Sequence, residues 1–268
     1  MKWFAAVSGN NVALDNLDKI RSPQFSLFED SEDHQSSLYY LKSAHFEVLE
    51  DPYTVMSHMK GLLQLINGAC AIAWGFQEYD AKLPIKLDGL YTTKPPVSNA
   101  GFNIIHGLGE LDDIPPSSPF LGDFIPVWSD NPFRYKVSSL IEMSVNNDDV
   151  LCLLRQASIG VDWRNLYCIW DTISHYCDGN KSAIKQLGLD EQKIKAFTGT
   201  ANSFCHLGIE ARHGAQGWSK PKNVISHSDA MCLVSNMVTR YVKANHDVEA
   251  LFEQWQDRYN PNKYTYPT

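Results

Sequence analysis

Hydrophobic positions follow two different spacings in this chain of 268 residues. Over the first 111 residues, short runs rich in aromatic and β-branched residues predict β-strands. We expect these strands at residues 3–7, 25–28, 37–49, 83–92 and 102–111. Apolar residues spaced three or four apart predict two helices among them. One covers residues 12–20, and Asp51-Pro52 opens a longer one, because proline in the first helical turn loses no hydrogen bond.

Beyond residue 132 the helical spacing takes over. Apolar stripes predict helices over residues 133–144, 149–158, 166–177, 190–204, 228–241 and 248–259, with a break at Asn146-Asn147. Asp190 and Ser228 are expected to cap two of them, because their side chains accept hydrogen bonds from the free N–H groups at a helix start. Residues 112–132 contain five prolines, a density that excludes regular helix and marks a boundary.

These patterns predict an α+β fold in two domains. Residues 1–111 are expected to form a small N-terminal α/β domain, and residues 112–132 a proline-rich linker. Residues 133–260 are expected to form a C-terminal all-α helical bundle, followed by a tail at residues 261–268.

Charge and cysteine content restrict the classes of function. The formal net charge of −8 opposes broad charge-driven binding to nucleic acid or anionic membranes, but it leaves room for a local basic site. The six cysteines include no CxxC pair, as expected for free thiols in a reducing compartment. The apolar run at residues 3–7 is too short for a secretory signal, and polar positions in residues 55–74 indicate an amphipathic helix. We therefore expect a cytoplasmic protein with no membrane partner.

One loop between predicted helices carries most of the candidate chemistry. The candidate catalytic and ligand-binding residues are Glu210, Arg212, His213, Trp218, Lys220 and Lys222. Arg212 offers a fork of donors suited to phosphate, and His213 titrates near neutral pH. The tryptophan is suited to stacking on a base, and the two lysines to contacting phosphates. In the opposite interpretation, Arg212 pairs with Glu210 or with a helix C-terminus, and His213 packs where helices cross.

Two other groupings support weaker interpretations. Zinc accepts residues of the types found at Cys205, His206, Glu210 and His213, but their spacing matches no standard zinc pattern. Arg240 and His246 lie near the end of a predicted helix, where basic residues offset the helix dipole. We expect neither a metal nor another cofactor.

Several segments resemble a group of uncharacterised bacterial proteins, and the helical part more distantly resembles the HEPN superfamily of small helical domains. The segments that carry the first resemblance include Lys195-Ala196-Phe197-Thr198-Gly199, Ala211-Arg212-His213-Gly214, Lys220-Pro221, Tyr39-Tyr40-Leu41 and Leu65-Ile66-Asn67-Gly68-Ala69. Many HEPN domains are metal-independent ribonucleases of toxin and antiviral systems, and they use an Arg and a His four to six residues apart. Arg212 and His213 are contiguous instead, whereas Arg240 and His246 have the family's spacing.

The resemblance implies a HEPN-like protein that binds or acts on RNA or nucleotide, with a metal-independent ribonuclease of phage defence as its catalytic form. In that form Arg212 stabilises the phosphoryl oxygens and His213 moves the proton. The alternative is a non-catalytic interaction subunit with protein partners in a larger bacterial complex. A small-molecule sensor is a third hypothesis, with the ligand held between the two predicted domains.

Overall fold

The computed structural model describes residues 2–20, 22–30, 38–77, 84–93, 103–104, 113–121, 135–215 and 221–247. Contacts divide these residues into two compact units that are interleaved along the chain. The first unit draws on Met1–Asn67 and Lys82–Asn146, and the second on Gly68–Ala81 and Asn147–Asp247. The α+β class is confirmed, because a sheet lies in the N-terminal part and helices account for the rest. The domain boundaries from the sequence stay a prediction.

Five strands of the described residues form one antiparallel sheet in the order β2-β3-β1-β4-β5. Their bounds are Lys2–Ser8 (β1), Ser26–Asp30 (β2), Leu38–Lys42 (β3), Lys86–Thr93 (β4) and Asn103–Ile104 (β5). The strand predicted at residues 37–49 was wrong beyond Lys42, since Ala44–Phe46 form a 3-10 turn. The side chain of Ser43 accepts a hydrogen bond from the His45 N–H there, which closes the turn. Most of the strand predicted at residues 102–111 lies outside the described residues.

The helices follow the predicted stripes closely. Their bounds are Asn11–Asp18 (α1), Pro52–Trp74 (α2), Lys136–Asn146 (α3), Asp148–Ile159 (α4), Trp163–Tyr176 (α5), Asn180–Gln186 (α6), Glu191–Ala201 (α7), Phe204–Leu207 (α8) and His227–Asn245 (α9). Asp190 caps α7 as predicted, but Ser226 rather than Ser228 caps α9 by accepting from Asp229 N. The prediction missed α6, because two turns are too few to show a clear apolar stripe. The helix predicted at residues 248–259 lies outside the described residues.

Alternation along β1 gives the sheet two apolar faces. Trp3, Ala5 and Val7 are buried on one face. On the other, rings from four strands contact in sequence, with centroids 5.9 Å apart for Phe4 and Phe28, 5.7 Å for Phe28 and Tyr40, and 6.0 Å for Tyr40 and Tyr91. Cross-strand aromatic pairs of this kind fix the register of a sheet, because a shift by one residue would turn every ring to the opposite face.

A polar chain connects four segments of the first unit. His45 Nε2 lies 2.6 Å from Gln24 Oε1, and Gln24 Nε2 donates to Glu142 Oε2 over 2.5 Å. Leu121 N donates to His45 Nδ1 over 3.2 Å, so the ring proton belongs on Nε2. Burial, reinforced by the nearby charge of His58, lowers the pKa of His45 to about 4. His45 is therefore neutral in the folded protein at ordinary pH.

This chain makes the stability of the first unit dependent on pH. Because the pKa of His45 is about 4 when folded and 6.5 when unfolded, the unfolded state takes up the proton first as the pH falls. We expect the free energy of unfolding to decrease between pH 6.5 and pH 4, with His45 contributing at most about 3 kcal/mol. Urea unfolding of wild type and of His45→Gln across this range measures it. The exposed His206→Gln is the control, and an identical pH profile for wild type and His45→Gln would contradict the assignment.

Helix-on-helix packing builds the core of the second unit. The inward face of α5 buries Leu166, Ile169, Trp170 and Ile173, and the facing stripe of α9 buries residues that include Val234 and Val238. The C-terminal part of α2 approaches α4 so closely that a Cβ atom on Gly68 would overlap the carbonyl oxygen of Leu154. Only glycine permits that approach, because neither backbone can move aside cheaply.

Candidate functional site

The loop predicted to carry the chemistry follows α8 and lies in the second unit. Gly208 begins it with φ of +59°, a left-handed conformation that favours glycine, and Gly208–Glu210 form a 3-10 turn. Ala211 is buried, and Arg212 N donates to the Ala201 carbonyl at the end of α7 over 2.8 Å. These contacts hold the backbone of Arg212 against the helical core.

Arg164, in the first turn of α5, fixes the same loop from the other side. Its Nε donates to Ala211 O over 3.0 Å, and its Nη2 donates to Ile209 O over 2.6 Å. One planar guanidinium thereby holds two carbonyls of the loop in a set orientation. Sequence reasoning missed Arg164, because its partners lie 47 and 45 residues further along the chain.

Arg212 stacks on α5 and pairs there. Its guanidinium carbon lies 4.0 Å from the centroid of the Tyr167 ring, and its Nη2 lies 3.0 Å from Asp171 Oδ2. Phe197 supports the tyrosine from within the core, with ring centroids 6.1 Å apart. Neither partner proposed in the opposite interpretation, Glu210 or a helix C-terminus, is the one observed.

The pair of Arg212 and Asp171 is partly open to solvent. The arginine side chain is 33% exposed and the aspartate side chain 45%, so water and ions reach both groups. Burial raises the pKa of Asp171, and the charge of Arg212 offsets only part of that rise. An exposed pair of this kind contributes little to stability, about 0–1 kcal/mol. The guanidinium makes no other hydrogen bond to the described residues.

The other predicted site residues lie apart or are not described. His213 is half-buried next to Arg212 in the chain, whereas Glu210 and Lys222 are exposed. Among the described residues, no hydrogen bond or ion pair joins Glu210 or Lys222 to Arg212. Trp218 and Lys220 lie outside the described residues. The structure instead adds Arg164, Tyr167 and Asp171, spaced along one face of α5 at intervals of three and four residues.

Arg240 and His246, the pair with the HEPN spacing, serve two different contacts. Arg240 Nη1 donates to Leu187 O over 3.0 Å and to Gly188 O over 2.6 Å, at the C-terminal end of α6. His246 Nε2 lies 2.7 Å from Asp149 Oδ2, an atom that also accepts from Tyr241 OH over 2.6 Å. Burial alone would raise the pKa of Asp149, but the bonds from Tyr241 and His246 lower it. His246 thus connects the end of α9 to the first turn of α4.

No protein-family model matches this chain, and neither a curated protein nor a solved structure gives a significant match. Across the described ranges, which include Cys205, His206, Glu210 and His213, no three His, Cys, Asp or Glu side chains gather as a metal site. None of the helices described has the length and apolar character needed to cross a bilayer.

Removal of the Arg164 side chain should loosen the loop without unfolding the second unit. Arg164→Ala deletes both bonds to the loop carbonyls, and each bond from a charged donor contributes about 1.5–3 kcal/mol. We expect the amides of residues 208–213 to exchange hydrogen at least about tenfold faster, with protection of α5 retained. Hydrogen exchange followed by mass spectrometry measures this, and Lys222→Ala is the control. Unchanged exchange at residues 208–213 would show that other contacts hold the loop.

Proposed function

We propose that this protein is a HEPN-like helical protein that binds single-stranded RNA. The site is the Arg212 face, which we define as Arg164, Tyr167, Asp171, Arg212 and His213. The observation that carries the proposal is the position of the Arg212 guanidinium carbon 4.0 Å from the Tyr167 ring centroid, on a side chain that is one-third exposed. An arginine held flat on a ring presents a fixed edge of donors to a phosphate, and an exposed planar face to a base.

The surroundings favour an anionic ligand at this face. The sequence from residue 211 to residue 228 has no acidic residue, although the chain as a whole is acidic. The one carboxylate on Arg212 is that of Asp171, which is nearly half exposed, so a phosphate can take its place at little cost. His213, next along the chain, adds an imidazole ring whose N–H can donate to a phosphate oxygen.

Binding makes fewer demands on the Arg212 face than cleavage does. In a ribonuclease reaction, the 2′-OH of the RNA would attack the adjacent phosphorus while His213 takes its proton. The bond to the 5′-oxygen of the next nucleotide would break, and that oxygen would gain a proton as it leaves. Arg212 would stabilise the developing charge only after releasing Asp171. Binding also displaces Asp171, but it does not require His213 to move a proton or a bond to break.

Two substitutions with opposite expected effects test the RNA site. Arg212→Ala should weaken binding of fluorescein-labelled single-stranded RNA about tenfold or more, because a charge-assisted contact to phosphate is lost. Asp171→Asn should strengthen binding several-fold, because the competing charge is removed. Fluorescence anisotropy at several salt concentrations measures both, with the exposed Lys185→Ala as the matched control. Equal affinities for wild type and Arg212→Ala would exclude this face.

A cleavage assay distinguishes an RNA-binding protein from a ribonuclease. Labelled tRNA and total RNA are incubated in EDTA with wild type and with the double variant Arg212→Ala/His213→Ala. Cleavage by wild type alone would establish the ribonuclease form. Equal cleavage by the two proteins, or no cleavage by either, would contradict the ribonuclease form and leave RNA binding as the proposed function.

A second function, that of a non-catalytic interaction subunit, is favoured by Ile209. This side chain is 83% exposed on the loop that Arg164 fixes, so an apolar group is presented to solvent in a defined position. A single exposed isoleucine is common on soluble proteins, which is why this function ranks second. Ile209→Asp should abolish capture of protein partners encoded by neighbouring genes, and light scattering should show whether the isolated chain self-associates. A monomer that captures nothing would contradict this function.

A further inference from the structure

A groove between α7 and α9 is a second place where the second unit can hold a ligand. Its volume is about 650 Å³, within the range of small-molecule sites in proteins. We call it the α7–α9 groove. Residues that line it include Asp190, Lys193, Ala196, Val224, Asp229, Cys232, Leu233, Asn236 and Arg240.

The two helices run antiparallel along the groove. Arg240, near the end of α9, bonds the carbonyl of Gly188 just before α7, whereas Ile225 N, just before α9, donates to Thr200 Oγ1 near the end of α7. From Asp229 to Arg240 the rise of 1.5 Å per residue gives a groove about 16 Å long. It is therefore long enough for an elongated molecule whose two ends differ in chemistry.

One end of the groove carries two cations without a carboxylate partner. Arg240 is held in place by the carbonyls of Leu187 and Gly188 through Nη1 alone. Lys193 lies in the first turn of α7, where the helix dipole disfavours a positive charge. Neither side chain makes an ion pair within the described residues, in contrast to Lys195, which lies 2.8 Å from Glu191.

The two carboxylates of the groove are already used at helix starts. Asp190 accepts from the N–H groups of Gln192 and Lys193, and Asp229 accepts from the hydroxyl of Ser226. Asp229 lies at the opposite end of the groove, whereas Asp190 lies at the cationic end, where its carboxylate accepts from backbone N–H groups and makes no ion pair with Lys193 or Arg240 within the described residues. Away from the cationic end the lining includes the apolar residues Ala196, Leu233 and Val224, the last of which is 48% exposed.

We propose that the α7–α9 groove binds a small organic phosphate, with the phosphate at Lys193 and Arg240 and an apolar or aromatic body along the wall. A guanidinium already oriented by backbone carbonyls meets phosphate oxygens with little loss of entropy, and Lys193 adds a second charge. Asn236, exposed in the same wall, offers both a donor and an acceptor to polar groups on the body. This inference does not depend on the Arg212 face.

Titration with 1-naphthyl phosphate tests the groove, with fluorescence of the probe as the readout. Three comparison ligands are titrated as well. Inorganic phosphate represents the phosphate group alone, 1-naphthol the aromatic group alone, and 1-naphthoate the same aromatic group with a carboxylate. We expect 1-naphthyl phosphate to bind at least about tenfold more tightly than any of these three. Lys193→Ala should weaken it about tenfold and Lys193→Glu further, while Lys195→Ala has no effect. Tighter binding of 1-naphthoate than of 1-naphthyl phosphate would contradict the proposed phosphate ligand and indicate a carboxylate ligand instead. Unchanged binding to Lys193→Glu, or no binding to wild type at millimolar probe, would contradict the α7–α9 groove as the binding site.

The exposed thiol of Cys232 gives an independent readout of the location. Cys232 lines the groove, whereas the exposed Cys168 lies on α5 next to Tyr167. Saturating 1-naphthyl phosphate should slow iodoacetamide labelling of Cys232 several-fold and leave Cys168 unchanged. Equal rates at Cys232 with and without the probe would contradict the site. RNA binding measured with Lys193→Glu distinguishes the two proposals, because that variant should keep wild-type affinity for RNA.

Discussion

The two hydrogen bonds from Arg164 to the carbonyls of Ile209 and Ala211 are the constraint on which the candidate site depends. They hold a loop that has left-handed backbone at Gly208 and neither helix nor strand over residues 211–215. With the bond from Arg212 N to Ala201 O, they place the arginine above Tyr167. Without them the loop would keep only the bond from Arg212 N and the burial of Ala211, and we expect the guanidinium to be less firmly held above Tyr167.

Helix α5 packs into the core with one face and carries residues of the candidate site on the other. Its inner stripe, which includes Trp170, is fully buried, and each large apolar side chain buried in this way contributes about 1.5–3 kcal/mol. Its outer stripe supplies Arg164, Tyr167 and Asp171 to the site. The rigid inner packing is what allows the outer side chains to hold a fixed geometry, as sites built on helices require.

A protein with a negative net charge can still offer local sites for anions where its basic side chains are not fully paired with carboxylates. Arg212 has an exposed carboxylate partner, Arg240 has backbone carbonyls, and Lys193 has no ionic partner among the described residues. Arg212 is suited to an anionic ligand that displaces Asp171. Arg240 and Lys193 are suited to an anionic ligand that supplies the negative charge they lack. At ordinary ionic strength such local differences outweigh the distant net charge of −8.

The sequence by itself determined most of the helices and strands, because their periodicity and caps are local properties. The break at Asn147, the cap at Asp190 and the loop around Arg212 were all predicted from neighbouring residues. Tertiary structure alone decided the partner of Arg212, which is Asp171, 41 residues away, and not the nearby Glu210. It also decided that Arg164 and Tyr167 belong to the site and that Lys193 and Arg240 line one groove. Contacts of this range follow from how helices pack against one another, and the spacing of residues within one segment carries no record of that packing.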